Sequence, residues 1–165
     1  MFFLIIFTIS AVMNFYVIAR LYSLLSKPLT SLSLYFLVLL GSISFIAGIA
    51  VDQVFGNFLS RIIYYIGVTW LGILWLFFVS LLIYEPLRLF ISVQPRKVAY
   101  TIITIVFLLT IIAFINAQFL KVKTINLQGP ADFKIVQISD IHLGSTTSRY
   151  FGRIIKKINN ISPDI

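Results

Sequence analysis

The chain has 165 residues, 60% of them hydrophobic and 16% aromatic, and only 11% carry charge. A soluble domain carries about a quarter, so this deficit, with a mean hydropathy of +1.04, excludes an ordinary water-soluble domain and makes the class an integral membrane protein. The formal charge of +8 sits beside apolar spans, at Arg20, Lys27, Arg88, Arg96, Lys97, Lys121 and Lys123. Cations in such places set topology and meet anionic lipid headgroups, and no basic stripe interleaved with stacking aromatics indicates nucleic acid.

A hydrocarbon core about 30 Å thick needs about 20 apolar residues in a helix, and four segments meet that length. The first runs from Phe2 to about Leu21. It lacks a basic n-region and a small-residue cleavage site, which marks a retained helix and not a signal peptide. Asn14 and Arg20 are its polar residues: Asn14 is expected to hydrogen-bond a neighbouring helix, and Arg20 to snorkel from near the end. The second span runs from Leu32 to Val51, where Gly41, Ser42, Ser44, Ala47 and Gly48 make a small-residue surface. Such a surface lets helices approach closely in lipid, and packing within the chain is favoured over a dimer interface. The third runs from Ile62 to Tyr84, with Tyr64, Tyr65 and Tyr84 placed like an interfacial belt. Between it and the fourth, Val98 to Ala117, two prolines and three basic residues over Glu85–Lys97 predict a loop, with room for a short interfacial helix. No chain of acidic residues or histidines crosses the membrane, so a transporter is the least supported class.

After Ala117 the pattern changes. Gln118–Ile125 mixes polar and apolar residues and is predicted to begin a strand, and Gly129-Pro130 breaks it. Phe133–Ser139 is Ile- and Val-rich and short enough for a buried strand. Ser148 is a candidate cap for the helix that follows, whose Phe151, Ile154, Ile155 and Ile158 fall on one face. Ser162-Pro163 ends that helix, and Asp164-Ile165 leads toward another strand. The expected architecture is thus an all-α membrane bundle over residues 1–120, then the β-α-β start of an α/β domain over residues 121–165. Such a start has little to bury its strand against and is not expected to be stable alone.

Asp140 and His142 stand two apart just past the predicted strand, on the same side of the backbone, at the sheet end where α/β proteins bind ligands. A carboxylate and an imidazole suit a divalent ion such as Zn²⁺, Mn²⁺ or Fe²⁺, and Gly144 lets the backbone pass close to a phosphate. By themselves the two residues also fit a solvated loop. The chain has no cysteine, which removes disulfides, thiolate metal sites and a cysteine nucleophile.

Ile135–Gly144, IVQISDIHLG, resembles the first metal motif of calcineurin-like metallophosphoesterases, and Pro163-Asp164 after the helix resembles that family's lead-in to its second. Asn14-Phe15-Tyr16 with Arg20, Trp70-Leu71-Gly72, Leu87-Arg88 and Asn116-Ala117 resemble the anchor of its prokaryotic multi-span membrane members. The resemblance implies a dinuclear Mn, Fe or Zn centre with Asp140 and His142 on one metal, which activates water and neutralises phosphoryl charge. The family's remaining ligand motifs would lie beyond Ile165, so the chain is expected to be an N-terminal fragment, inactive alone. Implied partners are the lipid bilayer and a phosphoester at its surface. The alternative is a small multi-pass membrane protein with a structural or partner-binding role. Basic residues gather on the side opposite the tail, which predicts a cell-membrane protein with an extracytoplasmic tail.

Overall fold

The computed structural model describes residues 2–127, 133–139 and 148–164. Four long helices come first: α1 (Phe2–Leu25), α2 (Ser31–Phe55), α3 (Phe58–Leu87) and α4 (Pro95–Asn116). All four are long and apolar enough to cross a membrane, the architecture of a multi-pass membrane protein. Large apolar side chains such as Leu4, Leu32, Phe36, Phe58 and Phe107 point outward, each more than 60% exposed. In water such a surface would drive aggregation; in lipid it is the solvated face.

Local chemistry sets the helix ends. Thr30 caps α2, its Oγ1 accepting from the Ser33 amide at 3.2 Å. Gly56 ends α2 in the left-handed region at φ 56°, where its amide donates to the Asp52 carbonyl. Asn57 then caps α3, accepting from the Ser60 amide at 2.8 Å. Gly56-Asn57 is therefore a two-residue hairpin in which one residue stops a helix and the next starts another.

The loop expected over Glu85–Lys97 is shorter than the prolines suggest. Glu85, Pro86 and Leu87 complete α3, and Pro95, Arg96 and Lys97 open α4. Pro86 lies inside the last turn of α3, where it leaves the ladder short of one amide donor, and Pro95 takes the first helical position, where no amide partner is needed.

In the bundle, α1 and α2 are antiparallel, as are α2 and α3, so α1 and α3 run parallel. The buried positions follow a seven-residue rhythm: Ser60, Gly67, Leu74 and Leu81 on α3, Gly41 and Gly48 on α2, Ser10, Val17 and Leu24 on α1. That spacing keeps one seam of a helix facing its neighbour. Ala99, Ile102 and Val106 of α4 complete the apolar core with Met13, Val17, Leu24, Leu74 and Leu81. Three hydroxyls within the spans are satisfied by their own helix. Thr8, Ser42 and Thr110 each donate to the carbonyl four residues back, at 2.6–2.8 Å, which keeps these three donors from facing lipid bare.

The chain divides into two compact units, Met1–Ile111 and Ile112–Ile165. In the second, no β-α-β start is seen: among the described residues there is no strand, and beyond the end of α4 only α5 (Ser148–Ile161) is regular. Residues 120–127 and 133–139 are irregular. A strand needs a ladder, and the described backbone supplies residues 133–139 with one bond, from the Asp164 amide to the Lys134 carbonyl at 2.8 Å. The half-buried face of α5 is Phe151, Ile154, Ile158 and Ile161, with Ile155 at 43% exposure on its margin. Ile161, two turns past Ile154, takes the place expected for Ile155.

Candidate functional site

Asp140 and His142, with Gly144, lie outside the described residues, as does the Gly129-Pro130 break. What surrounds the motif is described on both sides. Residues 133–139 lead into it and α5 leads out, after which the chain returns to its starting point. There Asp164 grips Lys134 twice: its carboxylate accepts from the Lys134 amide at 2.8 Å, and its own amide donates to the Lys134 carbonyl. The Lys134 ammonium reaches the Ile161 carbonyl at 3.2 Å. Residues 120–123, 135–139 and α5 enclose a cleft of about 330 Å³, whose lining includes Lys121, Lys123 and Lys157 beside Gln137 and Ser139. Among the described residues no three His, Cys, Asp or Glu side chains gather to hold a metal.

The bundle has a polar centre of its own, and Asn14 is its hub. Asn14 is fully buried. Its Nδ2 donates to the Ser10 carbonyl at 2.9 Å, and its Oδ1 accepts from Trp70 Nε1 at 3.2 Å. Gly41 of α2 closes the third side, since a Cβ there would collide with Asn14 Oδ1 and stand 2.8 Å from the indole nitrogen. The expectation for Asn14 thus holds, with Trp70 as the partner. A buried amide in lipid is stable only when paired, and the pairing ties α1 to α3 through a gap that only glycine leaves open. The small-residue surface of α2 is likewise used inside the chain: Gly48 packs on the Tyr64 backbone, and the Ser44 carbonyl lies against Gly67.

A second polar cluster closes the end of the bundle where α1 and α3 finish. Glu85 accepts from Arg20 Nε at 2.6 Å and from Arg88 Nε at 2.9 Å. The Tyr16 hydroxyl stands 3.5 Å from the same carboxylate, and the Arg20 guanidinium lies 5.9 Å from the centre of the Tyr84 ring. Arg20 therefore does not reach for the headgroups: it is paired inside the bundle, because α3 runs on far enough to bring Glu85 beside it. The sequence held a signal for this clamp. Glu85 and Asp52 are the sole acidic residues before residue 121, and an intramembrane arginine needs a counter-charge.

No family model matches the chain, and neither does any curated protein or solved structure.

Proposed function

We propose that the chain belongs to a membrane-anchored, metal-dependent phosphoesterase of the calcineurin-like type, with Asp140 and His142 as two ligands of one divalent ion. The observation that carries this reading is the run IVQISDIHLG at Ile135–Gly144, set directly after a four-helix membrane bundle. The described segments on either side support the reading: residues 133–139 precede the motif, the amphipathic α5 follows it, and the return places Asp164 against Lys134. Three lysines on the neighbouring cleft suit an anionic substrate. The anchor would hold the site at a membrane surface, which favours phosphoesters borne on or near lipids.

Two side chains do not make a dinuclear centre. The purified 165-residue chain is accordingly expected to bind Mn²⁺ without hydrolysing bis(p-nitrophenyl) phosphate, and the Asp140→Ala/His142→Ala double variant to lose the bound ion. Electron paramagnetic resonance of free Mn²⁺ reads both. An affinity unchanged by the double substitution would remove the metal assignment.

One observation favours a second reading, a multi-pass protein whose tail binds a partner. Phe119, Ile125, Leu127, Phe133 and Ile135 are all 65–87% exposed, more apolar surface than a finished domain shows. Manganese binding that ignores Asp140 and His142 would favour this alternative.

For topology we place the protein in the cell membrane with its tail extracytoplasmic, since Lys27, Arg88, Arg96 and Lys97 crowd the opposite end. Single cysteines at Ser92 and Gln128, in a chain with none of its own, report the sidedness. An impermeant thiol reagent applied to intact cells should label Gln128→Cys and spare Ser92→Cys. The reverse pattern would invert the assignment.

A further inference from the structure

The turn joining α3 to α4 displays apolar side chains where a membrane protein would ordinarily meet water. Leu89 is 78% exposed, Phe90 84%, Ile91 52% and Val93 45%. Arg88 precedes them and Arg96 and Lys97 follow, all exposed. Four large hydrophobes within five residues, bracketed by cations, would be a costly surface in solvent.

The backbone of this turn is suited to leaving water. Amides usually keep loops out of an apolar phase, because each one left unpaired there costs several kcal/mol. Here the Arg88 amide donates to Tyr84, that of Leu89 to Pro86, and those of Phe90 and Ile91 both to Leu87, at 3.0–3.2 Å. The donors that would enter first are already satisfied. Charge points the same way. Glu85 is the sole acidic residue between residues 53 and 131, and it is occupied by Arg20 and Arg88. Among the described residues no carboxylate pairs with Arg96 or Lys97, which remain to meet anions from outside the chain.

We propose that this turn is an anchor selective for anionic lipid: Leu89, Phe90 and Ile91 sink into the acyl boundary of the leaflet while Arg96 and Lys97, with Arg88, engage lipid phosphates. Each basic side chain near an anionic surface strengthens attachment about fivefold, and the apolar wedge between them turns a surface contact into insertion. The inference stands apart from the phosphoesterase reading, since it uses no residue of the tail.

The test uses the whole chain carrying Phe90→Cys labelled with an environment-sensitive nitrobenzoxadiazole probe, reconstituted in vesicles. One set is pure phosphatidylcholine and the other includes phosphatidylglycerol. Ser26→Cys, in the exposed α1–α2 turn at the same end, gives the aqueous reference. In the anionic vesicles the Phe90 probe should be quenched by brominated acyl chains and severalfold less by iodide than the Ser26 probe. Adding Arg96→Gln/Lys97→Gln should erase the difference between the two lipid compositions. Three results would overturn the proposal: iodide quenching at Phe90 equal to that at Ser26, insertion of equal depth in both compositions, or shielding from iodide and brominated lipid alike. The last would mean that a protein surface, a second copy included, covers the turn.

Discussion

Gly67→Ala is expected to destabilise the bundle by about 1–3 kcal/mol, while Gly72→Ala on the same helix is expected to be neutral or to stabilise by up to about 1 kcal/mol. The two substitutions add the same methyl group, so only the surroundings decide the sign. A Cβ at Gly67 would enter the Ser44 carbonyl oxygen and lie 2.9 Å from its carbon, both of them backbone atoms of α2 that cannot swing aside. The helices would have to separate along the seam that also holds Gly48 on Tyr64 and Gly41 on the Asn14–Trp70 pair. In lipid that separation finds no compensation from apolar burial, because acyl chains solvate leucine as well as another helix does. A Cβ at Gly72 meets nothing within 4 Å, leaving only the helix-favouring effect of alanine. Reversible unfolding in mixed micelles, followed by circular dichroism, measures both. Equal effects at the two positions would show that α2 and α3 do not meet at Gly67.

The second large effect is expected at the charged clamp. Glu85→Met removes the shared acceptor of Arg20 and Arg88 and should destabilise by about 1–3 kcal/mol. That lies between the near-zero worth of surface pairs and the 3–5 kcal/mol lost when a fully buried pair is broken. The intermediate value follows from exposure, with the side chains of Arg20 and Glu85 at 20% and 29%. Arg20→Met/Glu85→Met should recover much of the loss, since no orphaned guanidinium then remains beside Tyr16 and Tyr84. Arg88→Met alone should cost under about 1 kcal/mol, because Arg88 is half exposed and water can replace its partner. A double-mutant cycle between Arg20 and Glu85 in the same unfolding assay reads the coupling directly. Strict additivity would mean that the 2.6 Å contact contributes nothing to the folded bundle.

The four spans and the amphipathic helix were legible because each is dictated by composition or by spacing along a single helix. Their caps were only partly legible. Gly56-Asn57 is a local signal, but Glu85–Lys97 misled, since α3 carries Pro86 within its last turn and a proline is preferred at the first position of the next helix. The seven-residue series Ser60, Gly67, Leu74, Leu81 was present in the sequence as well, hidden because the residues around it are equally apolar. For the candidate metal site, the residue types are legible and the geometry is not described, because Asp140 and His142 lie outside the described residues. The strands expected on either side failed for a plain reason: a strand is a relation between two segments, and propensity in one cannot supply the other.

The sequence by itself determined that this is a membrane-type chain with four spanning helices and a chemically distinct tail. That much follows from transfer of side chains and backbone into lipid, which each segment settles alone. Only the tertiary structure decided that Asn14 takes Trp70, that Arg20 turns inward to Glu85, and that Gly41, Gly48 and Gly67 are contact points within the chain. These depend on which faces of separate helices meet at close range. In lipid that choice rests on shape and a few polar pairs rather than on hydrophobicity, so it leaves little trace in the apolar pattern.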